Sequence, residues 1–327
     1  MAENPSPRQM AKDLLQGIAP PRPLLLPIVF SLGARVENLP LRSFLANPTK
    51  ITNALRQIRG RLPADGVTCY FDPFVEVEAL GAALRWSSDD QPPAICWPAP
   101  AHKGELPQGL RSPEDAVKAG RIGVAAEVIR RLNSLLRDDT LLMAGVSGPF
   151  TLAARLVQFS DQEVFSADDL YPAFDLSAAM MTQVASALVE AGAHVIFIYE
   201  DVMPRLSAES CENWANRLSP TFNIIRFYGA LPVLLLTNSA AADQNFEVIA
   251  NREWEGILCP ALETSFPERL SGMETARLGV ALPAALLAPG LVERIRSLRP
   301  AIVTTSGDVP ASTDIKQLAA LFEEVHH

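Results

Sequence analysis

Along the chain, compact apolar runs alternate with longer stretches in which apolar residues recur every three or four positions. The compact runs are LLLPIVF (24–30), GVTCYFD (66–72), TLLMAGVSG (140–148), HVIFIYED (194–201), PVLLLTNS (232–239), GILCPA (256–261), RLGVALP (277–283) and AIVTTSG (301–307). Short, nearly continuous apolar runs fit strands buried on both faces, as in a parallel sheet covered by helices. Eight is also the number that closes a (β/α) barrel, although periodicity alone does not separate a closed ring from an open sheet.

The stretches between the runs predict helices. NPTKITNALRQIRGRL (47–62) opens on an Asn-Pro cap, and SPEDAVKAGRIGVAAEVIRRLNSLL (112–136) opens on Ser-Pro followed by two acids that suit a helix N-terminus. DLSAAMMTQVASALVEAGA (175–193) runs out at a glycine stop, and TDIKQLAALFEEVHH (313–327) closes the chain. SAESCENWANRLSPTFNIIRFYG (207–229) carries a Ser-Pro break and is expected as two helices. Residues 1–23 form a polar, Pro-rich lead with one short helical pattern, RQMAKDLLQGI. Residues 24–327 are expected as one barrel domain. The segment 85–112 is the least regular and the richest in proline, and reads as a long connection laid over one end of the domain.

Composition narrows the function classes. A chain of 327 residues with 48% hydrophobic positions can build a sizeable core. Its net charge of −9 argues against nucleic acid as a partner, because phosphate binding needs clustered Lys and Arg. No apolar run is long enough for a membrane helix, and the first residues lack a secretory layout. The four cysteines, Cys69, Cys96, Cys211 and Cys259, form no CxxC pair and read as reduced thiols of a cytoplasmic protein.

Barrel enzymes keep their chemistry at the C-terminal ends of the strands. The segments found there and in the following helices are YFDPFVEVEALGAALRW, VSGPFTLAARLV, AGAHVIFIYEDVMPRLS, LLAPGLVERI and TTSGDVPASTDIKQLAALFEE. Together, and in this order, they resemble the uroporphyrinogen decarboxylase superfamily, which also includes the cobalamin:thiol methyltransferases. The resemblance implies an α/β fold, a single TIM-like (β/α)8 barrel with its site at the C-terminal mouth. The wording VEVEALGAALRW and the tail GDVPASTDIKQLAAL are similar to the methyltransferase branch in particular.

The resemblance also assigns residues. Asp72 matches the aspartate with which the decarboxylase holds pyrrole N–H groups, and a carboxylate there can stabilise a developing cation. Gly148 and Phe150 belong to the family's GPFTLA turn. Arg155 stands where the decarboxylase has a tyrosine and could pair a carboxylate. Glu200 stands at a family aspartate, with Asp201 beside it. Adjacent strand residues point to opposite sides, so at most one of the two faces the mouth. Asp72 and Glu200 are thus the catalytic candidates. Arg35, Gly148, Phe150, Arg155, Asp201, Thr237, Ser239 and Ser306 are the substrate-binding candidates.

The known chemistries of the superfamily are stripped at other positions. The methyltransferase branch holds zinc with a His-x-Cys at the end of the fifth strand and a Cys at the end of the last. Here those positions read Thr237-Asn238-Ser239 and Ser306-Gly307. Hydroxyls are poor zinc ligands beside thiolate and imidazole, so no metal and no cofactor is expected. The decarboxylase's arginine-rich signature after the first strand is also missing, with Arg35 the only nearby basic residue. Cys259 stands at a strand end without a visible ligand partner, His194 opens its strand, His102 lies in the connection, and His326 and His327 end the chain.

Three functions follow. One is a decarboxylase-type carboxy-lyase acting on or binding a tetrapyrrole or related polycarboxylate. The second is a corrinoid-dependent methyltransferase without the zinc site, with a corrinoid protein as partner. The third is a non-catalytic barrel that binds a ligand or a partner. By analogy with decarboxylase relatives, a homodimer is a further expectation.

Overall fold

The computed structural model describes residues 5–97, 102–136, 139–159, 163, 165–250, 252, 254–261, 275–283 and 291–326. His327, residues 98–101 of the Pro-rich connection and residues 286–290 of LLAPGLVERI lie outside them. The described strands are β1 (Leu24–Leu25), β2 (Gly66–Tyr70), β3 (Ala83–Arg85), β4 (Ala94–Cys96), β5 (Leu141–Ser147), β6 (Val195–Glu200), β7 (Leu231–Leu236), β8 (Ile257–Pro260), β9 (Gly279–Leu282) and β10 (Ile302–Thr305). All but β3 and β4 fall inside the eight apolar runs, save that β7 begins one residue before its run. Apart from β3 and β4, every residue in them is buried.

Two parallel ladders carry the eight strands, in the orders β2-β5-β6-β7-β8 and β1-β10-β9. Isolated parallel bridges, Leu258 to Leu278 and Ala261 to Ala281, join β8 to β9. The remaining seam, between β1 and β2, is held by Asp65. Its N–H donates to the Leu25 carbonyl at 2.9 Å, and its carboxylate accepts from Leu25 N at 2.8 Å. The same carboxylate takes a bidentate fork from Arg22 at 2.7 and 2.8 Å. Each barrel strand therefore neighbours the next one in sequence and the last neighbours the first, which is the ring of a (β/α)8 barrel.

The first strand is shorter than the run 24–30 predicts, and Pro27 is the reason. It has no N–H for a ladder bond. On either side of it, β10 holds the chain partly by side chains instead. Thr304 Oγ1 donates to the Leu26 carbonyl at 2.7 Å, and Thr305 Oγ1 accepts from Ile28 N at 2.9 Å. The stretch 207–229 also differs from expectation. It forms one helix, Ala208–Phe227, with Pro220 inside it. Trp214, Leu218, Phe222 and Ile225 bury a continuous stripe across the proline, and Thr221 meets Thr182 at 2.7 Å, so packing outweighs the lost backbone bond. Conversely, 112–136 splits into Pro113–Ala116 and Ile122–Leu135 around Gly120, whose φ of +60° interrupts the helix.

The lead segment is part of the barrel body. Its helix, Pro7–Leu15, buries Met10, Ala11 and Leu14 in the core that the strands share. The connection 85–112 begins and proceeds through an antiparallel hairpin of β3 and β4, whose tip brings Pro92 and Pro93 to the mouth. Among the described residues no helix is long and apolar enough to cross a membrane.

If the Asp65 seam closes the ring, Asp65→Ala leaves a buried backbone N–H and a partly buried Arg22 unmatched. The expected loss is about 3 kcal/mol in urea unfolding. A loss below about 0.5 kcal/mol would place the closure elsewhere.

Candidate active site at the mouth of the barrel

The C-terminal ends of β10, β1 and β2 converge on a cavity of about 260 Å³. Its wall is Phe30 and Ser31 after β1, Leu41 and Leu45 from the next loop helix, Phe71 to Phe74 after β2, Pro92 and Pro93 from the hairpin, and Asp308 after β10. The wall is largely apolar. It contains two carboxylates and no Lys or Arg.

Asp72 is buried, as its place on the wall requires. One of its oxygens accepts from Phe74 N at 3.0 Å and the other is paired with Arg121. Arg121 also binds Glu78 at 2.8 Å, and its Nη2 has no hydrogen-bond partner among the described residues. Burial pushes the Asp72 carboxyl up, and Arg121 pulls it back only partly. Across the cavity, Asp308 accepts from Phe30 N at 2.7 Å and Ser31 N at 2.8 Å, and so holds the turn after β1. Burial, with the Asp72 charge adding to it, raises Asp308 to about 6.

Glu200 ends β6 but points into the helix layer. Its oxygens accept from Phe150 N at 3.1 Å, Thr151 N at 2.7 Å and Trp214 Nε1 at 3.0 Å. The carboxylate thus caps the helix Pro149–Leu156 and ties it to Ala208–Phe227. These bonds and its full burial oppose the catalytic role expected for Glu200. Gly148 serves the same contact, since a Cβ there would lie 2.3 Å from the Glu200 carboxyl carbon. Phe150 is fully buried, with its ring 4.7 Å from Phe174 and 5.7 Å from Trp214. Neither Gly148 nor Phe150 has a side chain that could meet a substrate.

Arg155 organises a second buried network. It donates to the Pro73 carbonyl at 2.8 Å, Ser147 Oγ at 3.0 Å and Asp201 at 2.6 Å. Ser147 in turn binds the fully buried Glu76, whose carboxylate accepts from its N–H at 2.8 Å, and Tyr199 OH at 2.8 Å. Asp201 is the half-buried member, and its Oδ1 has no partner among the described residues. Glu200 and Asp201, adjacent in the chain, bind different partners. Arg155, however, is already matched by Asp201 rather than free for a substrate carboxylate.

The other sequence candidates divide. Thr237 and Ser239 stand at the end of β7, with Thr237 Oγ1 donating to the Glu200 carbonyl at 3.2 Å. Ser306 follows β10 and bonds through its N–H to the Leu282 carbonyl at 2.6 Å. All three are at the mouth but outside the cavity wall. Arg35 is exposed and bound to the Ala311 carbonyl at 3.2 Å, and it is not part of the cavity wall. At the zinc positions of the methyltransferase branch, the donors are the hydroxyls of Thr237, Ser239 and Ser306. Among the described residues no three His, Cys, Asp or Glu side chains gather closely enough to share a metal ion. These residues do not fit a zinc–thiol site. Cys259 is fully buried beside Gly279, and burial pushes its thiol far up, so the neutral thiol is favoured. His194 accepts from Leu142 N at 2.9 Å at the opposite end of the strands.

Sequence reasoning missed Asp308, Arg121 and Glu76. Asp308 was within reach: it follows the last strand directly, where the strand-end rule applies. Arg121 carried no signal, because only the break at Gly120 and the fold bring it to Asp72.

A TIM-like (β/α)8 barrel with an apolar, acid-bearing cavity at the C-terminal mouth defines the class. Within it, the chain belongs to the uroporphyrinogen decarboxylase (URO-D) family, whose sequence model matches residues 9–222. The chain is similar to the methylcobamide:CoM methyltransferase MtaA of Methanosarcina barkeri, at 25% identity over 233 residues. That similarity covers 67% of this chain and 65% of the relative, just under two thirds of the relative's length. A solved methyltransferase from Methanosarcina mazei shares the fold, with a TM-score of 0.73 and 21% identity over 98% of this chain and 99% of that one.

Two outcomes test the site's construction. Gly148→Ala forces the Glu200 contact apart and should cost about 2 kcal/mol or more of stability by chemical denaturation, whereas an unchanged midpoint would contradict the contact. Burial raises Glu76 and Glu200 to about 7 and Asp308 to about 6, so the folded chain keeps these protons to higher pH than the unfolded chain. Their contribution to stability therefore falls as pH rises from the ordinary carboxylate range through about 7. Melting followed by circular dichroism should show a higher Tm near pH 5.5 than near pH 7.5; the reverse slope would contradict these raised values.

Proposed function

We propose that this protein is a methyltransferase-type member of the family that works at the barrel mouth with a methyl-carrying corrinoid protein as partner, and without the zinc site. The observation that carries the reading is the charge of the cavity wall, which bears Asp72 and Asp308 and no Lys or Arg. A tetrapyrrole polycarboxylate needs several cations around it. The two buried arginines near the mouth, Arg121 and Arg155, are already paired with Asp72 and Glu78 and with Asp201. The mouth thus opposes the decarboxylase substrate, and the similarity to a methylcobamide-dependent methyltransferase supports the other branch.

An apolar cavity suits methyl transfer, because it keeps water away from the reacting carbon and holds the two partners in line. With hydroxyls at the zinc positions, a thiol acceptor would not be activated in the way the zinc-bearing relatives activate it. The available chemistry is that of Asp72 and Asp308, which can hold or accept a proton from the acceptor at the wall of the cavity.

The test is turnover by the purified chain. With methylcobalamin and a panel of amine, thiol and pterin acceptors, loss of the methyl–cobalt spectrum should exceed the protein-free rate by about tenfold or more for at least one acceptor. Release of carbon dioxide from uroporphyrinogen, abolished by Asp72→Asn, would restore the decarboxylase reading.

A further inference from the structure

Asp308 is the one wall carboxylate with no cation beside it among the described residues. Asp72 has Arg121, and Asp65, Glu78 and Asp201 each have an arginine. Asp308 has only neutral donors, the N–H groups of Phe30 and Ser31 and the Ser31 side chain, and feels the like charge of Asp72. An ionised group partly withdrawn from water among apolar walls is costly unless a countercharge accompanies it. Phe71 and Phe74 line the same cavity. Aromatic faces with a nearby carboxylate and no competing Lys or Arg are the surroundings that receive an organic ammonium ion. At about 260 Å³, the cavity lies below the usual range for drug-sized ligands and suits a compact one.

We infer that the cavity receives a small organic cation, an ammonium with methyl or other short alkyl substituents, with Asp308 as its counter-ion and the phenylalanine rings as its walls. The inference rests on reading this mouth as the substrate site, and it names the substrate class. Asp308 supplies the charge, while Asp72, balanced by Arg121, shapes the opposite wall. The ligand's positive charge replaces the missing countercharge, and its alkyl groups occupy the apolar space.

The test compares two probes of equal shape on the full chain by calorimetric titration: choline, and its uncharged isostere 3,3-dimethylbutan-1-ol. Choline should bind about tenfold or more tightly than the neutral alcohol, and Asp308→Asn should remove most of that preference. Equal affinity for the two probes, or binding of neither, would overturn the inference on the unaltered chain, so the result does not depend on the variant folding. A charge preference that survives in folded Asp308→Asn would also overturn it. Choline preference without any methyl transfer from methylcobalamin would leave the cation site standing and remove the proposed reaction. Methyl transfer without charge preference would do the opposite.

Discussion

The closure of the strand ring is the constraint on which every statement about the mouth depends. Asp72 follows the second barrel strand and Asp308 follows the last, so they lie far apart along the chain. They share a cavity only because β10 pairs with β1 and β1 is seamed to β2. The seam is narrow. Pro27 cuts the first strand short, and the Asp65 carboxylate, with Arg22 behind it, supplies the bonds that a longer ladder would have made. Thr304 and Thr305 then hold the residues flanking Pro27 against β10, and Phe30 and Ser31 reach Asp308.

Buried carboxylates do two kinds of work around this ring. Glu200, Glu76 and Asp65 accept hydrogen bonds from backbone N–H groups and fix elements to one another. Asp72 and Asp308 also hold backbone, but they stand on a cavity wall. The difference is one of surroundings rather than residue type. Glu200 is enclosed by a helix terminus and a tryptophan, whereas Asp308 stands on the wall of a cavity. The arginines follow the same logic, because Arg121 and Arg155 neutralise acids at the rim and leave the cavity itself with excess negative charge. That balance connects the packing of the mouth to the kind of molecule it can admit.

Much of the architecture was legible in the residues. Continuous apolar runs marked all eight barrel strands, since a strand covered on both faces has no polar side to blur its outline. Proline and glycine were less reliable. Pro220 sits inside one helix because the apolar stripe around it packs well enough to outweigh a missing bond, while Gly120 breaks a stretch that reads as continuous. The site was only partly legible. Asp72 could be placed at a strand end, but nothing along the chain tells that Glu200 turns outward to a helix N-terminus or that Phe150 belongs to an aromatic stack. Asp308 belongs to the segment TTSGDVPASTDIKQLAALFEE but is not among the residues that the resemblance assigns. The family positions nearby directed attention to Ser306 and Gly307, and the unusual feature of Asp308, its lack of a countercharge, exists only in three dimensions.

The central claim is that the mouth carries uncompensated negative charge and so excludes polyanions. The most direct measurement is a fluorescence titration of the purified chain with uroporphyrin, an octacarboxylate that reports binding by its own emission. The account predicts no saturable binding to the native chain at moderate salt. Saturable binding to the native chain, competed by other polycarboxylates, would contradict it.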